Sequence, residues 1–194
     1  MQEGETDTTA EQRTGRGRKP SFEMAAEEVA RLVEMLESAG VSVWIDGGWG
    51  VDALFAKQLR EHDDLDIVVD IDDVPAVQNV LGTAGYTHQE GRAPLNFMVV
   101  DEDGRQVDIH PVTFNEHGDG LYQMENEMAW TYPAYGLAGT GRIGGRDVRC
   151  LTPALQMRVH AGYELSDKDH AEIRALHERF GVDPPRGYDW LAHD

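Results

Sequence analysis

The run Asp64-Leu-Asp-Ile-Val-Val-Asp70 constrains this chain most, because it sets two carboxylates at alternate positions inside an apolar strand. Residues i and i+2 of a strand share a face. Asp64 and Asp66 therefore project together, while Leu65, Ile67 and Val69 point the other way into a core. Such a strand belongs to a sheet with one packed face and one face free for chemistry. Upstream lies a second short apolar strand (Val41, Val43, Ile45), then the turn Gly47-Gly48, a short helix and a polar loop. Two adjacent carboxylates resist joint ionisation, and a hard divalent cation such as magnesium relieves them. Glycines at a helix start let backbone N–H groups approach an anion closely. An anion cradle beside a metal-binding pair points to a nucleoside triphosphate.

The arrangement of Gly47-Gly48 followed by Asp64-Leu65-Asp66 in an apolar strand resembles the signature of the nucleotidyltransferase superfamily that includes DNA polymerase beta. Within it, Trp44-Ile-Asp-Gly-Gly-Trp-Gly-Val-Asp-Ala53 and Arg60-Glu-His-Asp-Asp-Leu-Asp-Ile67 resemble the small antibiotic-modifying branch, the lincosamide nucleotidyltransferases and aminoglycoside 2''-nucleotidyltransferases. Val107-Asp-Ile-His-Pro111 and His160-Ala-Gly-Tyr-Glu-Leu165 are similar to runs in the lincosamide enzymes. The likeness thus falls in separated places and spans roughly residues 40 to 175. The polar N-terminal tail departs from the family, and the stretch 113–137 carries no matching motif.

The 194 residues suit one domain with a helical appendage, and a 40% apolar share suffices for a core. No stretch reaches the length of a membrane span, residues 1–20 lack an apolar signal segment, and Cys150 has no disulfide partner. A cytoplasmic protein is expected. Acidic and basic residues balance within residues 1–20, so the remainder carries the whole net charge of −19. That surface repels nucleic-acid backbones and attracts small cationic molecules, although acidity also serves solubility alone. The eight histidines show no structural-zinc spacing, and nothing local marks Cys150 as a nucleophile.

Residues 1–20 read as a disordered tail, 21–150 as the core and 151–194 as a helical portion packed on it. The expected fold is α/β (α+β), a nucleotidyltransferase fold with a mixed central sheet, flanking helices and a C-terminal helical portion. Ser21 is positioned to cap a helix to about Ser38, with Val29, Leu32, Val33 and Leu36 in its apolar stripe. Asp72 or Asp73 begins a helix with Pro75 in its first turn. Strands are expected over Leu95–Asp101 and Arg105–Val112, and a hairpin over Gly141–Cys150. Thr152-Pro153 starts a helix to residue 165, and Ser166 with Asp169 has capping-box spacing for the next. Residues 113–137, rich in Gly, Glu, Asn, Tyr and Trp, read as a long functional loop.

Asp108 and His110 share the face opposite Val107 and Ile109. The resemblance implies that Asp64 and Asp66 hold two magnesium ions, that Asp108 is the third carboxylate and base, and that ATP is the co-substrate. Two-metal chemistry of this kind clamps the transferred phosphate and the leaving pyrophosphate while a carboxylate takes a hydroxyl proton. Gly47 and Gly48 are candidate nucleotide contacts, as are Arg60 and His62 in the loop feeding the metal strand, where Arg60 could instead pair with Glu61 or Asp63. Asp52 is expected to favour the positive end of its helix or to face solvent. His110 is open between substrate contact, orientation of a metal-bound group and a hydrogen-bonded strand end. Glu125, Trp130 and Tyr132 offer carboxylate and aromatic faces to an amino-sugar acceptor, and Tyr163 joins them as a helix-face candidate beside His160.

The expected activity is magnesium-dependent transfer of AMP from ATP to a hydroxyl of a small antibiotic, a lincosamide first and an aminoglycoside second, by a monomer or homodimer without nucleic acid or membrane. Two alternatives remain: a minimal nucleotidyltransferase that modifies a protein partner, as in toxin–antitoxin pairs, and a non-catalytic module that binds nucleotide or drug.

Overall fold

Adjacent acidic strands organise the sheet. The computed structural model of the chain describes residues 23–123, 129–160 and 166–184. The N-terminal tail, Ser21, Glu125 and Tyr163 lie outside the described residues. In chain order the elements are α1 (Ala26–Ser38), β1 (Val43–Ile45), α2 (Gly47–Phe55), β2 (Asp64–Asp70), a 3-10 turn and α3 (Val74–Thr83). Then come β3 (Thr87–Gly91), β4 (Phe97–Val100), β5 (Gln106–Phe114), β6 (Gly120–Gln123) and β7 (Ala129–Tyr132). A second 3-10 turn leads to β8 (Gly139–Ile143), β9 (Arg146–Cys150), α4 (Pro153–Val159) and α5 (Asp167–Phe180).

The strands form one mixed sheet in the order β3-β4-β5-β2-β1-β9-β8, with β6 on the far end of β5 and β7 on β6. β2 runs parallel to β5 and antiparallel to β1, and β1 is parallel to β9. Central β2 alternates as its sequence requires. Leu65, Ile67 and Val69 are buried with Val107 and Ile109 of β5 and with Val29, Leu32, Val33 and Leu36 of α1. Removing such side chains from water stabilises the sheet by roughly 1.5–3 kcal/mol each, which fixes the register and sends Asp64 and Asp66 to the other face.

On that other face, Val68 and Val112 pack with Tyr122, Tyr132, Leu151 and Leu155. Val51 of α2 packs with Met157 of α4 and with Ile173 and Leu176 of α5. The C-terminal helices thus rest on the helix that follows the glycine turn.

The structure departs from the sequence reading in three places, and a fourth expectation is not covered by the described residues. α1 begins at Ala26 without a side-chain cap, five residues later than Ser21. The stretch 113–137 is largely ordered pairing: β5 continues to Phe114, and β6 and β7 form a hairpin on it. β3 is an additional edge strand, exposed along its length. α4 is described only to Val159, and the expected continuation to residue 165 lies outside the described residues. The Gly144-Gly145 hairpin and the Ser166–Asp169 capping box form as expected.

Candidate active site

The site grows from the parallel register of β2 and β5, which sets Asp66 directly beside Asp108 and Val68 beside His110. Asp66, Asp108 and His110 each present a ligand atom, and these atoms lie within 4.8 Å of one another. Asp64, two residues before Asp66 on the same face, stands outside that group, so His110 rather than Asp64 completes the tightest cluster. His110 Nε2 lies 3.3 Å from Asp66 Oδ1, and its Nδ1 is 3.2 Å from the Tyr122 hydroxyl. Asn96, just before β4, donates to Asp108 Oδ1 at 3.4 Å.

Burial, followed by repulsion from Asp66 and Asp64, pushes the Asp108 carboxyl up to about 6, with the His110 charge opposing. Burial likewise raises Asp64, reinforced by Asp66 and opposed by the Arg60 charge. Burial works to lower His110, but its hydrogen bond to Asp66 and the charges of Asp66, Asp108 and Asp46 outweigh it and push it up to about 9. This is a nest of carboxylates short of positive charge. Its oxygen donors fit a hard divalent cation such as magnesium, and the field that holds a proton on His110 favours such an ion equally.

The glycine turn closes over this cluster. The Asp46 side chain caps α2 by accepting from the Gly47 N–H at 2.6 Å. Gly47 has φ +57°, and a β-carbon on it would run into the Asp66 carboxylate. A β-carbon on Gly48 would meet the His62 ring and lie 2.6 Å from Arg60 Nη2. The turn therefore needs glycine for close approach on both sides, with the α2 N-terminus facing the acids.

Several residues sit elsewhere than their sequence suggests. His62 is buried, only 1% exposed, with Nε2 2.6 Å from Asp52 Oδ2 and its ring 4.7 Å from that of Trp49. It backs Gly48 from inside. Asp52 is correspondingly interior rather than solvent-facing, and its other oxygen accepts from the Leu59 N–H at 3.0 Å. The Arg60 side chain bypasses the Glu61 and Asp63 carboxylates. Its Nε donates to Glu172 of α5 at 2.6 Å and its Nη1 to the Glu61 carbonyl at 3.0 Å.

The acceptor-wall candidates also differ. Tyr132 is buried and donates to Asp46 Oδ2 at 3.1 Å, so it braces the helix cap instead of presenting a flat face. The Trp130 ring is covered by the Arg158 guanidinium, 5.3 Å from its centroid. Asp46, Asn96 and Tyr122 escaped the sequence reading as site residues. The one available signal was Asp46, a capping residue type placed immediately before the glycine pair.

Among known proteins, the lincosamide resistance protein of Staphylococcus haemolyticus is 31% identical over 157 residues, which cover 77% of this chain and 92% of that protein. The 2''-aminoglycoside nucleotidyltransferase of Escherichia coli is 26% identical over 126 residues, covering 63% of this chain and 64% of that protein. The crystal structure of a lincosamide antibiotic adenylyltransferase with lincomycin bound superposes with a TM-score of 0.71 at 28% identity, covering 80% of this chain and 98% of that one. Residues 28–176 match the aminoglycoside-2''-adenylyltransferase family, and with the acidic cluster under its glycine turn the chain belongs to that family and is an antibiotic nucleotidyltransferase.

Proposed function

We propose that this enzyme transfers AMP from ATP to a hydroxyl of a lincosamide, releasing pyrophosphate. The observation that carries this reading is the β2–β5 register, which brings Asp66 and Asp108 together on the polar face beneath Gly47 and Gly48. The similarity to the lincosamide resistance protein along almost its whole length supports the acceptor class. Asp64, Asp66 and Asp108 are the residues that would hold two magnesium ions, with His110 at their edge. Bound there, the ions would neutralise charge on the reacting phosphate and on the leaving pyrophosphate.

The chain's own residues supply the remainder. The N–H groups at the start of α2 and the Arg60 guanidinium receive the triphosphate. Asp108 accepts the proton of the attacking hydroxyl. His110 holds the Asp66 carboxylate in place while Tyr122 fixes the imidazole. Asn96 does the same for Asp108.

An aminoglycoside is the second acceptor, favoured by the net charge of −19, which draws a polycation. Pyrophosphate release from magnesium–ATP, measured across lincosamides and aminoglycosides with product masses, tests both. The expected result is a nucleotide-sized mass gain on a lincosamide. Silence with every drug, from protein that binds magnesium–ATP, would overturn the antibiotic acceptor and direct the search to protein acceptors.

A further inference from the structure

Arg60 is anchored from a distant part of the chain. Its loop leaves α2 through Ala56 at φ +50° and returns at β2. The guanidinium donates through Nε to Glu172 Oε1 and through Nη1 to the Glu61 carbonyl. Nη2 has no hydrogen bond among the described residues and lies against Gly48. Glu172 belongs to α5 and is only 4% exposed. Its second oxygen lies 3.0 Å from His160 Nε2, and His160 Nδ1 in turn lies 2.7 Å from the Gln156 carbonyl of α4.

The Glu172 carboxylate therefore has a cation on each oxygen, one from the α2–β2 loop and one from the end of α4. Burial raises its pKa, but the His160 hydrogen bond and the Arg60 charge outweigh that, so the direction is downward and the group stays ionised. An arginine offers five donors in a rigid fork. With two sides of the fork fixed, the remaining side is aimed without further loss of side-chain freedom.

We propose that Glu172, braced by His160, is a positioning residue that aims the free Nη2 of Arg60 at the first turn of α2, so that docking of α5 sets the affinity for the nucleotide triphosphate. This rests on the reading above that the Gly47-Gly48 turn seats the triphosphate. Glu172 acts through Arg60. The opposing electrostatic view is that Glu172 merely neutralises Arg60, in which case removing its charge would tighten nucleotide binding.

Calorimetric titration of the full-length protein with magnesium–ATP separates these. Glu172→Gln is expected to raise Kd about tenfold, the scale of losing one charge-assisted anchor. Arg60→Ala should weaken binding at least as much, and Glu172→Gln added to Arg60→Ala should change Kd by less than about twofold, because the two act as one unit. A general structural role would instead weaken binding equally in both backgrounds. Arg60→Lys keeps the charge but loses the fork and leaves the buried carboxylate an ionic partner; it should raise Kd while melting close to wild type, and it carries the test should Glu172→Gln fail to fold. An unchanged or lower Kd in Glu172→Gln, equal losses in both backgrounds, or wild-type affinity in Arg60→Lys would overturn the proposal. Wild-type protein that fails to bind magnesium–ATP would overturn the nucleotide seat itself, and this inference with it.

Discussion

At Gly47 two separate demands meet in one residue. Its φ of +57° lies in the left-handed region, where a side chain costs roughly 1–2 kcal/mol, and the space a β-carbon would take belongs to the Asp66 carboxylate. Gly47→Ala is expected to lower stability by about that amount and to displace Asp66. A displacement near 1 Å at a reacting centre can cost on the order of 100-fold in rate. Thermal melting together with pyrophosphate release checks both effects, and an Ala variant with wild-type turnover would contradict the close approach. Asp108 behaves differently. Burial and the neighbouring carboxylates hold its pKa up to about 6, so the metal-free fold loses stability as pH rises from the ordinary carboxylate value of 3.8 to about 6, and above that the cost of the ionised group is fully present. Asp108→Asn should therefore melt at or above the wild-type temperature at pH 7 while turnover falls by at least about 100-fold, the usual scale of a lost general base. Residual turnover near wild type would remove Asp108 as the base.

Element by element, α2 with its exit loop behaves as one unit. Asp52 is interior on this helix, pairs with His62 from the loop and accepts from the Leu59 N–H. Breaking a buried pair costs about 3–5 kcal/mol because one partner is left uncompensated. Asp52→Ala should thus shift the urea midpoint down by that equivalent, and a shift below 1 kcal/mol would show the pair to be unimportant. Nothing in the sequence spacing announces this pair, because a carboxylate on a short helix reads equally well as solvent-facing. The faces of β2 and β5 were legible, since a period of two leaves one choice once Leu65, Ile67, Val107 and Ile109 must be buried. That β2 and β5 lie side by side in parallel was not legible from spacing; it is set by packing between segments far apart in the chain. β3 was missed because Thr87-His-Gln-Glu-Gly91, exposed along its length, carries no apolar alternation. The β6–β7 hairpin hid in a Gly- and Tyr-rich stretch whose strands are only four residues each. The Arg60 partner was out of reach for the same reason as Asp52: Glu172 is 112 positions away.

Over the whole molecule, the net charge of −19 and the docking of α5 give stability two distinct dependences on solution conditions. Self-repulsion of the acidic surface is screened by salt, so the melting temperature should rise between low and moderate ionic strength. The His160–Glu172 contact is buried and much less screened, and its response is to pH. Burial raises Glu172, but His160 and Arg60 outweigh it and bring its pKa below the ordinary 4.5. Its contribution is present above pH 4.5 and is lost as pH falls through the depressed value. Burial lowers His160, but the Glu172 hydrogen bond, the Gln156 carbonyl and Asp169 outweigh it and lift its pKa above the ordinary 6.5. That contribution is present below pH 6.5 and is lost as pH rises through the raised value. The two overlap between about pH 4.5 and 6.5, where the α5 anchor is strongest. The difference in melting temperature between wild type and Glu172→Gln should therefore peak inside that window and shrink on both sides, whatever the rest of the protein does with pH. A difference that stays flat from pH 4 to 9 would mean that the His160 charge adds nothing to the anchor, which the Arg60 pair with Glu172 would then carry.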